Sequence, residues 1–533
     1  MKRPVSTSAK RVNSRVRLWC WAAALALAAA ALSWSAPAGA DSDRTGLPEA
    51  IDTILGDARM EGGVASVVVA DAASGEVLYA HQPTTRLMPA SNTKLGTSAA
   101  AMELLGPDYR FTTDVLTNGA RHGSVLYGDL YLRGTGDPTL LAADYDQLAA
   151  RIAESGITRV GGRLVADDTR FDRQRLGRSW AADDESSYYS AQISALSVAP
   201  DTDYDTGTVI VQVTPGAEAG DKPTVSVTPK TDYVHIDLRA TTVAAGGAND
   251  LTVEREHGTN TIVVSGTTPV GGSGAKEWVT VWEPTGYAAA VFRDALTAHG
   301  VKVTGPTRLG RATPKDATTL ASHDSMQLRD LLIPFMKLSN NMHAEILTKA
   351  MGYKASGEGS WSAGLAAVGG YLKGVGADPG EVRQVDGSGL SRMDNFPAGQ
   401  LAKLLLAVRS EPWYADWYRS LPVACDPQRF VGGTLRTRMC GTPAALNARG
   451  KTGSLTGASA LSGYVTDAGG RELVYSIVLN NFLVSSVKPL EDAIVVTLAK
   501  STEEAAVAVT PKAAKGAETQ GDLECSWRKP AQC

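Results

Sequence analysis

The sequence is organised around Pro89-Ala90-Ser91-Asn92-Thr93-Lys94, which runs directly into an alanine- and leucine-rich segment that ends at Gly106. This segment predicts one helix. If Ser91 opens that helix, Lys94 lies one turn later on the same face, so its amine can reach the Ser91 hydroxyl. A serine with a base within reach is an activated nucleophile. Other serine and lysine pairs with this spacing lie in a glycine cluster or run into a proline, and they begin at Ser273, Ser485 and Ser526.

The segments around this helix predict a sheet made from both ends of the chain. A helical apolar pattern at residues 47–60 precedes two strand-like runs, 64–70 and 76–80, with hairpin chemistry between them. Strand-like runs at 460–465 and 473–479 are followed by a helix near the other end. A fold that begins and ends in this way can pair its ends in one sheet.

We therefore expect an α/β (α+β) catalytic domain, an antiparallel sheet flanked by helices, formed by residues 41–111 and 319–504. Between these parts, residues 112–318 consist mostly of short β-branched runs separated by turns. They predict an inserted β-rich region of one or two domains. The alanine, lysine and glycine content of residues 505–533 predicts a flexible tail with a cysteine pair.

The first forty residues are strongly basic. They hold six Lys/Arg and no Asp/Glu, so the rest of the chain is more acidic than the formal net charge of -4 indicates. Nucleic acid is therefore not an expected partner. The basic stretch precedes an apolar run and Ala38-Gly39-Ala40, the pattern of a cleaved signal peptide of residues 1–40. The alternative is an uncleaved membrane anchor. We expect a secreted or cell-envelope protein.

The cysteines outside this segment form two close pairs, one of Cys425 and Cys440 and one of Cys525 and Cys533. An even number of cysteines in an exported chain favours disulfides, and although four cysteines allow three connectivities, we predict a bond within each pair. A metal site is the alternative, which the absence of histidine near either pair disfavours. We expect no metal and no other cofactor.

Two further polar clusters complete a set with Ser91 and Lys94. They are Lys337-Leu338-Ser339-Asn340-Asn341 and Arg449-Gly450-Lys451-Thr452-Gly453-Ser454. Ser-x-x-Lys, Ser-Asp-Asn and Lys-Thr-Gly together are the signature of penicillin-binding proteins and class A β-lactamases. The middle motif departs from this signature at Asn340. Glycines beside Lys451 and Thr452 are expected to let a ligand lie close against this edge.

The chain resembles a narrower family, the D-alanyl-D-alanine carboxypeptidase/endopeptidases known as low-molecular-mass class C penicillin-binding proteins, of actinobacterial type. The resemblance covers residues 47 to 500 approximately and includes the long insertion. The phrases that carry it are Gly128-Asp129-Leu130-Tyr131-Leu132, Gly136-Asp137-Pro138-Thr139-Leu140, Ser194-Ala195-Leu196-Ser197-Val198 and Asp386-Gly387-Ser388-Gly389-Leu390-Ser391.

Residue roles follow from the chemistry, and the resemblance supports them. Ser91 is expected to attack the carbonyl of the penultimate D-alanine, and Lys94 to take its proton as a neutral amine, which burial and Lys451 would favour. Ser339 is expected to relay a proton to the leaving amine, and Asn341 to bind the substrate's amide. Lys451, Thr452 and Ser454, with Gly453 between them, are expected to hold the terminal carboxylate. Backbone N–H groups of Ser91 and Ser454 would form the oxyanion hole.

The implied partners are peptidoglycan stem peptides with D-Ala-D-Ala ends or cross-links, and β-lactams as inhibitors. Trp180, Tyr188 and Tyr189 are expected either to line the subsite for the stem-peptide side chain or to pack in a core. His343 is expected to be structural. A serine β-lactamase and an inactive cell-wall-binding homologue remain alternatives. The sequence leaves open the oligomeric state and the balance between carboxypeptidase and endopeptidase activity.

Overall fold

The structure is a computed structural model that describes residues 46–513. The predicted signal peptide lies outside these residues. The first part of the described chain contains a helix, a strand pair and the Ser91 helix: α1 (Leu47–Leu55), β1 (Val64–Asp71), β2 (Val77–His81) and α2 (Thr93–Leu104). The predicted first helix ran to residue 60, but α1 ends before Gly56 and a separate 3-10 turn covers Ala58–Met60.

The middle of the chain is rich in short strands. Its elements are β3 (Thr112–Thr117), β4 (Ala120–His122), β5 (Val125–Tyr127), β6 (Leu130–Gly134), α3 (Ala142–Glu154), β7 (Arg159–Val160), β8 (Leu164–Asp167), β9 (Thr208–Thr214), β10 (Thr224–Thr228), β11 (His235–Leu238), β12 (Thr241–Val243), β13 (Thr252–Arg255), β14 (Thr261–Ser265), β15 (Thr267–Pro269), β16 (Ala275–Thr280), α4 (Pro284–Ala298), β17 (Lys302–Val303), β18 (Thr307–Leu309) and β19 (Thr318–Asp324). These strands form five small sheets.

The two ends of this middle segment lie side by side, because β19 pairs antiparallel with β3. The predicted boundary at residue 318 therefore falls at the start of a strand that continues to Asp324. Helices α3 and α4 pack with the strands around a hydrophobic core that includes Tyr145, Val211 and Phe292. The segment leaves and rejoins the rest of the chain at one place.

The last part of the chain contains most of the helices and three long strands: α5 (Leu328–Lys337), α6 (Asn341–Ser356), α7 (Trp361–Gly374), α8 (Ala398–Ala407), α9 (Tyr414–Ser420), α10 (Arg429–Gly432), β20 (Arg449–Leu455), β21 (Ala458–Thr466), β22 (Glu472–Asn480) and α11 (Lys488–Lys500). Among residues 46–513, no helix is both long and apolar enough to cross a bilayer.

A five-stranded antiparallel sheet in the order β2-β1-β22-β21-β20 joins both ends of the chain, as the sequence predicted. Successive side chains of a strand point to opposite faces. Val68 accordingly packs in the core around α2 and α5 to α9, while Val67 and Val69 pack with α1 and α11. The sheet is therefore flanked by helices on both faces, which explains the apolar run from Val67 to Ala70 in β1.

The segment that carries Lys451 is itself a strand, β20, at the edge of the sheet. The sequence placed it before a terminal strand pair and did not predict it as a strand, because Gly450 and Gly453 weaken the strand pattern. The predicted tail also differs at its start. Ala506 is buried, the Val509 N–H donates to Thr497 Oγ1 (3.1 Å), and the Lys512 carbonyl accepts from Arg59 (2.9 Å).

The two predicted disulfides have different outcomes. Cys425 and Cys440 are bonded to each other, so the prediction for this pair is confirmed. The predicted bond between Cys525 and Cys533 is not confirmed, because both cysteines lie outside the described residues 46–513. The pairing of Cys525 with Cys533 therefore stays a prediction from the sequence, and peptide mapping under non-reducing conditions is the measurement that checks it.

Candidate active site

Ser91 lies in a tight turn clamped between two glycines. A 3-10 turn at Ala90–Asn92 leads directly into α2, and Ala90 has φ 46°, a conformation uncommon for a residue with a side chain. A Cβ on Gly389 would lie 1.8 Å from the Ala90 carbonyl oxygen, and one on Gly453 would lie 3.0 Å from the Ser91 nitrogen. Both positions therefore require glycine. From the sequence, Gly453 was expected to leave room for a ligand. In the structure, its small size leaves room for the turn at Ser91.

Lys94 is buried beside Ser91 and contacts three oxygen atoms. Its Nζ lies 2.9 Å from Ser91 Oγ, 2.6 Å from Asn341 Oδ1 and 2.8 Å from the Ser388 carbonyl oxygen. The amide and backbone oxygens can only accept hydrogen bonds. A neutral amine has two hydrogens and one lone pair, so donation to both carbonyl oxygens leaves the lone pair for the Ser91 hydroxyl. The geometry suits removal of the Ser91 proton by Lys94.

Ser339 and Lys451 form the second polar pair of the site. Ser339 lies between α5 and α6 with φ 59°, and Lys451 Nζ donates to its hydroxyl over 2.7 Å. Lys451 also donates to the Thr452 carbonyl (2.9 Å) and has no exposed surface. Burial first, and then the charge of Lys94, hold the pKa of Lys451 well below its ordinary value. Lys451 thus contacts the site through its hydrogen bond to Ser339 and presents no exposed amine.

The two asparagines of the second motif point in different directions. Asn341 joins the site, since its Oδ1 accepts from Lys94 and its Nδ2 donates to the Tyr189 carbonyl (2.9 Å). Asn340 points away and caps α6, accepting from the His343 N–H (3.2 Å). Its Nδ2 donates to Asp205 Oδ1 (3.0 Å) and to the Tyr204 carbonyl (3.1 Å). A donor is needed there, so asparagine replaces the aspartate of the signature.

A loop closed by the Cys425–Cys440 disulfide contacts the third motif. It carries Thr434, whose Oγ1 accepts a hydrogen bond of 2.8 Å from the Thr452 hydroxyl. Neither the loop nor Thr434 was predicted as part of the site, because Thr434 belongs to none of the three sequence motifs. We call residues 425–440 the disulfide loop.

The three predicted aromatic residues lie at the edge of the site and are half-buried. Trp180 and Tyr189 pack against a small apolar cluster that contains Ala90, Leu390 and Leu455. Tyr188 packs edge-on against Tyr189, with 5.5 Å between ring centroids. The Trp180 indole donates to Asp386 (3.0 Å), and the Tyr189 hydroxyl donates to Asp184 (2.7 Å). The middle segment thus contributes directly to the surroundings of Ser91.

His343 is fully buried, and its Nε2 lies 3.0 Å from the Tyr204 carbonyl oxygen. A carbonyl only accepts, so Nε2 carries the hydrogen. Burial lowers the pKa of His343 to about 4, which keeps the ring neutral at physiological pH. This environment fits the structural role expected from the sequence.

Known proteins resemble this chain over most of its length. The model of the D-Ala-D-Ala carboxypeptidase 3 (S13) family matches residues 47–501. A D-alanyl-D-alanine carboxypeptidase from Actinomadura sp. (strain R39) is 46% identical over 499 residues, which cover 92% of each chain. The D-alanyl-D-alanine carboxypeptidase DacB from Haemophilus influenzae is 26% identical over 433 residues, covering 79% of this chain and 86% of the relative.

Solved structures show the same fold. Penicillin binding protein 4 (dacB) from Haemophilus influenzae superposes with a TM-score of 0.72 at 24% identity, covering 82% of this chain and 94% of that chain. A second structure of that protein, complexed with a β-lactam, gives a TM-score of 0.67.

Proposed function

This chain belongs to the D-Ala-D-Ala carboxypeptidase 3 (S13) family, and we propose that it hydrolyses D-alanyl-D-alanine ends of peptidoglycan stem peptides through an acyl-enzyme on Ser91. The observation that carries the proposal is the geometry at Lys94. Two carbonyl oxygens accept hydrogen bonds from its two amine hydrogens, which leaves the lone pair for the Ser91 hydroxyl. The identity of 46% to a D-alanyl-D-alanine carboxypeptidase supports the same reaction.

In the acylation step, Ser91 Oγ attacks the carbonyl carbon of the penultimate D-alanine while Lys94 removes the hydroxyl proton. The oxyanion is stabilised by the backbone N–H groups of Ser91 and Ser454, each contributing ~3 kcal/mol. As the peptide bond breaks, the proton held by Lys94 passes to the leaving amine through the Ser339 hydroxyl, which Lys451 contacts. Water then attacks the ester carbonyl while Lys94 removes one of its protons, and Lys94 returns this proton to Ser91 as the ester bond breaks. Trp180, Tyr188 and Tyr189 would line the subsite for the stem-peptide side chain.

The substrate's terminal carboxylate is assigned to the end of the cleft formed by Ser339, Thr452 and Ser454. Hydroxyl groups there donate to the carboxylate, and Lys451 supplies positive charge behind Ser339. Endopeptidase activity uses the same acyl-enzyme, because a cross-link differs from a free stem end only in what the leaving amine carries. The predicted signal peptide and the location of the substrate support a site of action in the cell envelope, outside the cytoplasmic membrane.

The first experiment is intact-mass spectrometry of the protein incubated with benzylpenicillin for minutes to hours, with Ser91→Ala as the control. Release of D-alanine from a peptide ending in D-Ala-D-Ala is measured in parallel. We expect a long-lived adduct and D-alanine release from the wild type, and neither from the variant.

Two outcomes would replace this proposal. An adduct that vanishes quickly while the drug is hydrolysed would indicate a serine β-lactamase. Absence of both adduct and D-alanine release in a folded wild-type protein would indicate an inactive cell-wall-binding homologue.

A further inference from the structure

A loop outside the three motifs contacts the general base. Residues 385–391, here called the base-facing loop, lie along the first turns of α2. The Ser388 carbonyl accepts from Lys94 (2.8 Å), and the preceding Gly387 carbonyl accepts from Thr97 Oγ1 (2.7 Å). Consecutive carbonyls thus bind residues almost one helical turn apart. Gly389 follows against the Ala90 carbonyl, so the loop touches both the base and the turn of the nucleophile.

Asp386 holds the base-facing loop from within. This fully buried carboxylate accepts three backbone N–H groups of its own loop, from Ser388 (3.1 Å), Gly389 (2.7 Å) and Ser391 (2.7 Å). It also accepts from the Trp180 indole (3.0 Å). Hydrogen bonds from several N–H groups are what a carboxylate needs when water is excluded. Asp386 therefore fixes the direction in which the Ser388 carbonyl points.

Glu345 binds the same loop from helix α6. It is also fully buried and accepts from the N–H groups of Gly387 and Ser388, each over 2.8 Å, and from the Trp361 indole over 2.7 Å. Asp394 completes the cluster from beyond the loop, accepting from the Val385 N–H (2.6 Å). Burial and neighbouring carboxylates raise the pKa of Glu345 to about 7 and that of Asp394 well above its ordinary value.

Three carboxyl groups in one buried cluster are costly, and the sequence places them on two separate segments. None of them contacts Ser91 or a motif side chain in the hydrogen bonds described above. Their shared feature is that all three bind backbone N–H groups of residues 385–391.

We propose that Glu345, Asp386 and Asp394 form a positioning unit for the general base. The unit holds the Ser388 carbonyl in position to accept a hydrogen bond from one amine hydrogen of Lys94. The lone pair of the neutral amine then stays directed at Ser91. Without this contact the amine can rotate, and proton removal slows although substrate still binds. The inference rests on the proposed function, because it assigns these residues to the acylation step of that reaction.

The test compares acylation kinetics of the wild type and Glu345→Gln, using benzylpenicillin over a range of concentrations. The glutamine replaces one acceptor oxygen by an N–H group that opposes the loop N–H groups. We expect the rate constant at saturating drug to fall by about 10- to 100-fold, since a displacement of about 1 Å can cost about 10²-fold. The half-saturating concentration should stay within about twofold, because no group proposed to bind the drug is removed.

Glu491→Gln is the matched control. Glu491 is equally buried, but its partners are Ser459 and Arg438, away from the base-facing loop. Thermal unfolding of both variants shows whether they are folded. If Glu345→Gln does not fold, Trp180→Phe serves instead, since it removes the indole donor to Asp386 and keeps an aromatic ring at this position.

The outcomes separate the inference from the proposed function. A folded wild type that forms no adduct and releases no D-alanine would overturn both. A wild type that is acylated, beside a folded Glu345→Gln variant with the same rate constant, would overturn the positioning unit alone. In Trp180→Phe, a lower rate constant at an unchanged half-saturating concentration supports the unit. A change in half-saturation alone, or no change, would mean that Trp180 only lines the subsite and would overturn the unit.

Discussion

Lys94 acts as a base only while its nitrogen is uncharged, and its neighbour Lys451 is a second fully buried amine. Two ammonium groups in one dry site repel each other, which is part of the reason that the pKa of Lys451 is held low. A substrate carboxylate near Ser339 would favour the charged form of Lys451. Substrate binding would then place the positive charge at Lys451 and leave Lys94 as the neutral amine, which is the distribution that acylation needs.

Thr434 gives a test of the carboxylate end of the cleft. Thr452 must donate its hydroxyl hydrogen to a substrate carboxylate, and Thr434, 2.8 Å away, is then free to donate to Thr452 and keep it oriented. Thr434→Val is expected to raise KM for a D-Ala-D-Ala peptide by about 3- to 10-fold, corresponding to one hydrogen bond of ~1 kcal/mol, with little change in kcat.

The control for this substitution is Thr437→Val, an exposed position on the same disulfide loop. It should leave both constants unchanged. A Thr434→Val enzyme with wild-type KM would show that the disulfide loop does not support carboxylate binding.

Elements differed in how far the sequence revealed them. The Ser91 helix was predictable from its alanine- and leucine-rich composition, and the strand pairs at both ends from their apolar runs and the turn residues between them. The contact between the Ser388 carbonyl and Lys94 was not predictable, because every residue has a backbone carbonyl oxygen and any loop could have supplied it. Asp386 and Gly389 lay in a phrase that resembled the family, but only the fold shows that both residues serve the Ser91 turn and Lys94.

The cap of helix α6 provides a prediction at the scale of an element. Asn340 connects the start of α6 to the loop that carries Asp205, and it donates to that carboxylate. Asn340→Asp would place two carboxylates together and leave the Tyr204 carbonyl without this donor. We expect the free energy of unfolding at pH 7 to fall by about 1–3 kcal/mol in urea denaturation.

The double variant Asn340→Asp/Asp205→Asn restores a donor between the two side chains and should recover part of this loss. If Asn340→Asp is as stable as the wild type, the asparagine in the second motif has a reason other than the contact with Asp205.

At the scale of the whole molecule, the central sheet combines segments from both ends of the described chain. Strand β1 lies between β2 and β22, and each of its residues from Val64 to Asp71 has a partner in β22. This pairing was predictable because a strand pair and a helix were predicted at each end of the chain. The internal arrangement of the middle segment was not, because short strands of similar composition do not specify which neighbours they pair with.

Hydrogen exchange tests whether this sheet behaves as one unit. We expect the amides of β1 to exchange as slowly as those of β22, at the global free energy of unfolding, about 5–15 kcal/mol. The short exposed strand β4 (Ala120–His122) serves as the fast-exchanging reference. Mass-spectrometric exchange in which β1 opens several kcal/mol more easily than β22 would contradict a single cooperative sheet.

The pairing of β1 with β22 also sets an order in time. During synthesis the Ser91 segment emerges early, whereas Ser339 and Lys451 follow only after hundreds of further residues, and β1 obtains its long-range partner last of all. Long-range strand pairing is slow to form. A newly made chain therefore carries its nucleophile without a complete site until Asn480 has joined the sheet. The chain is accordingly catalytically inactive during its synthesis.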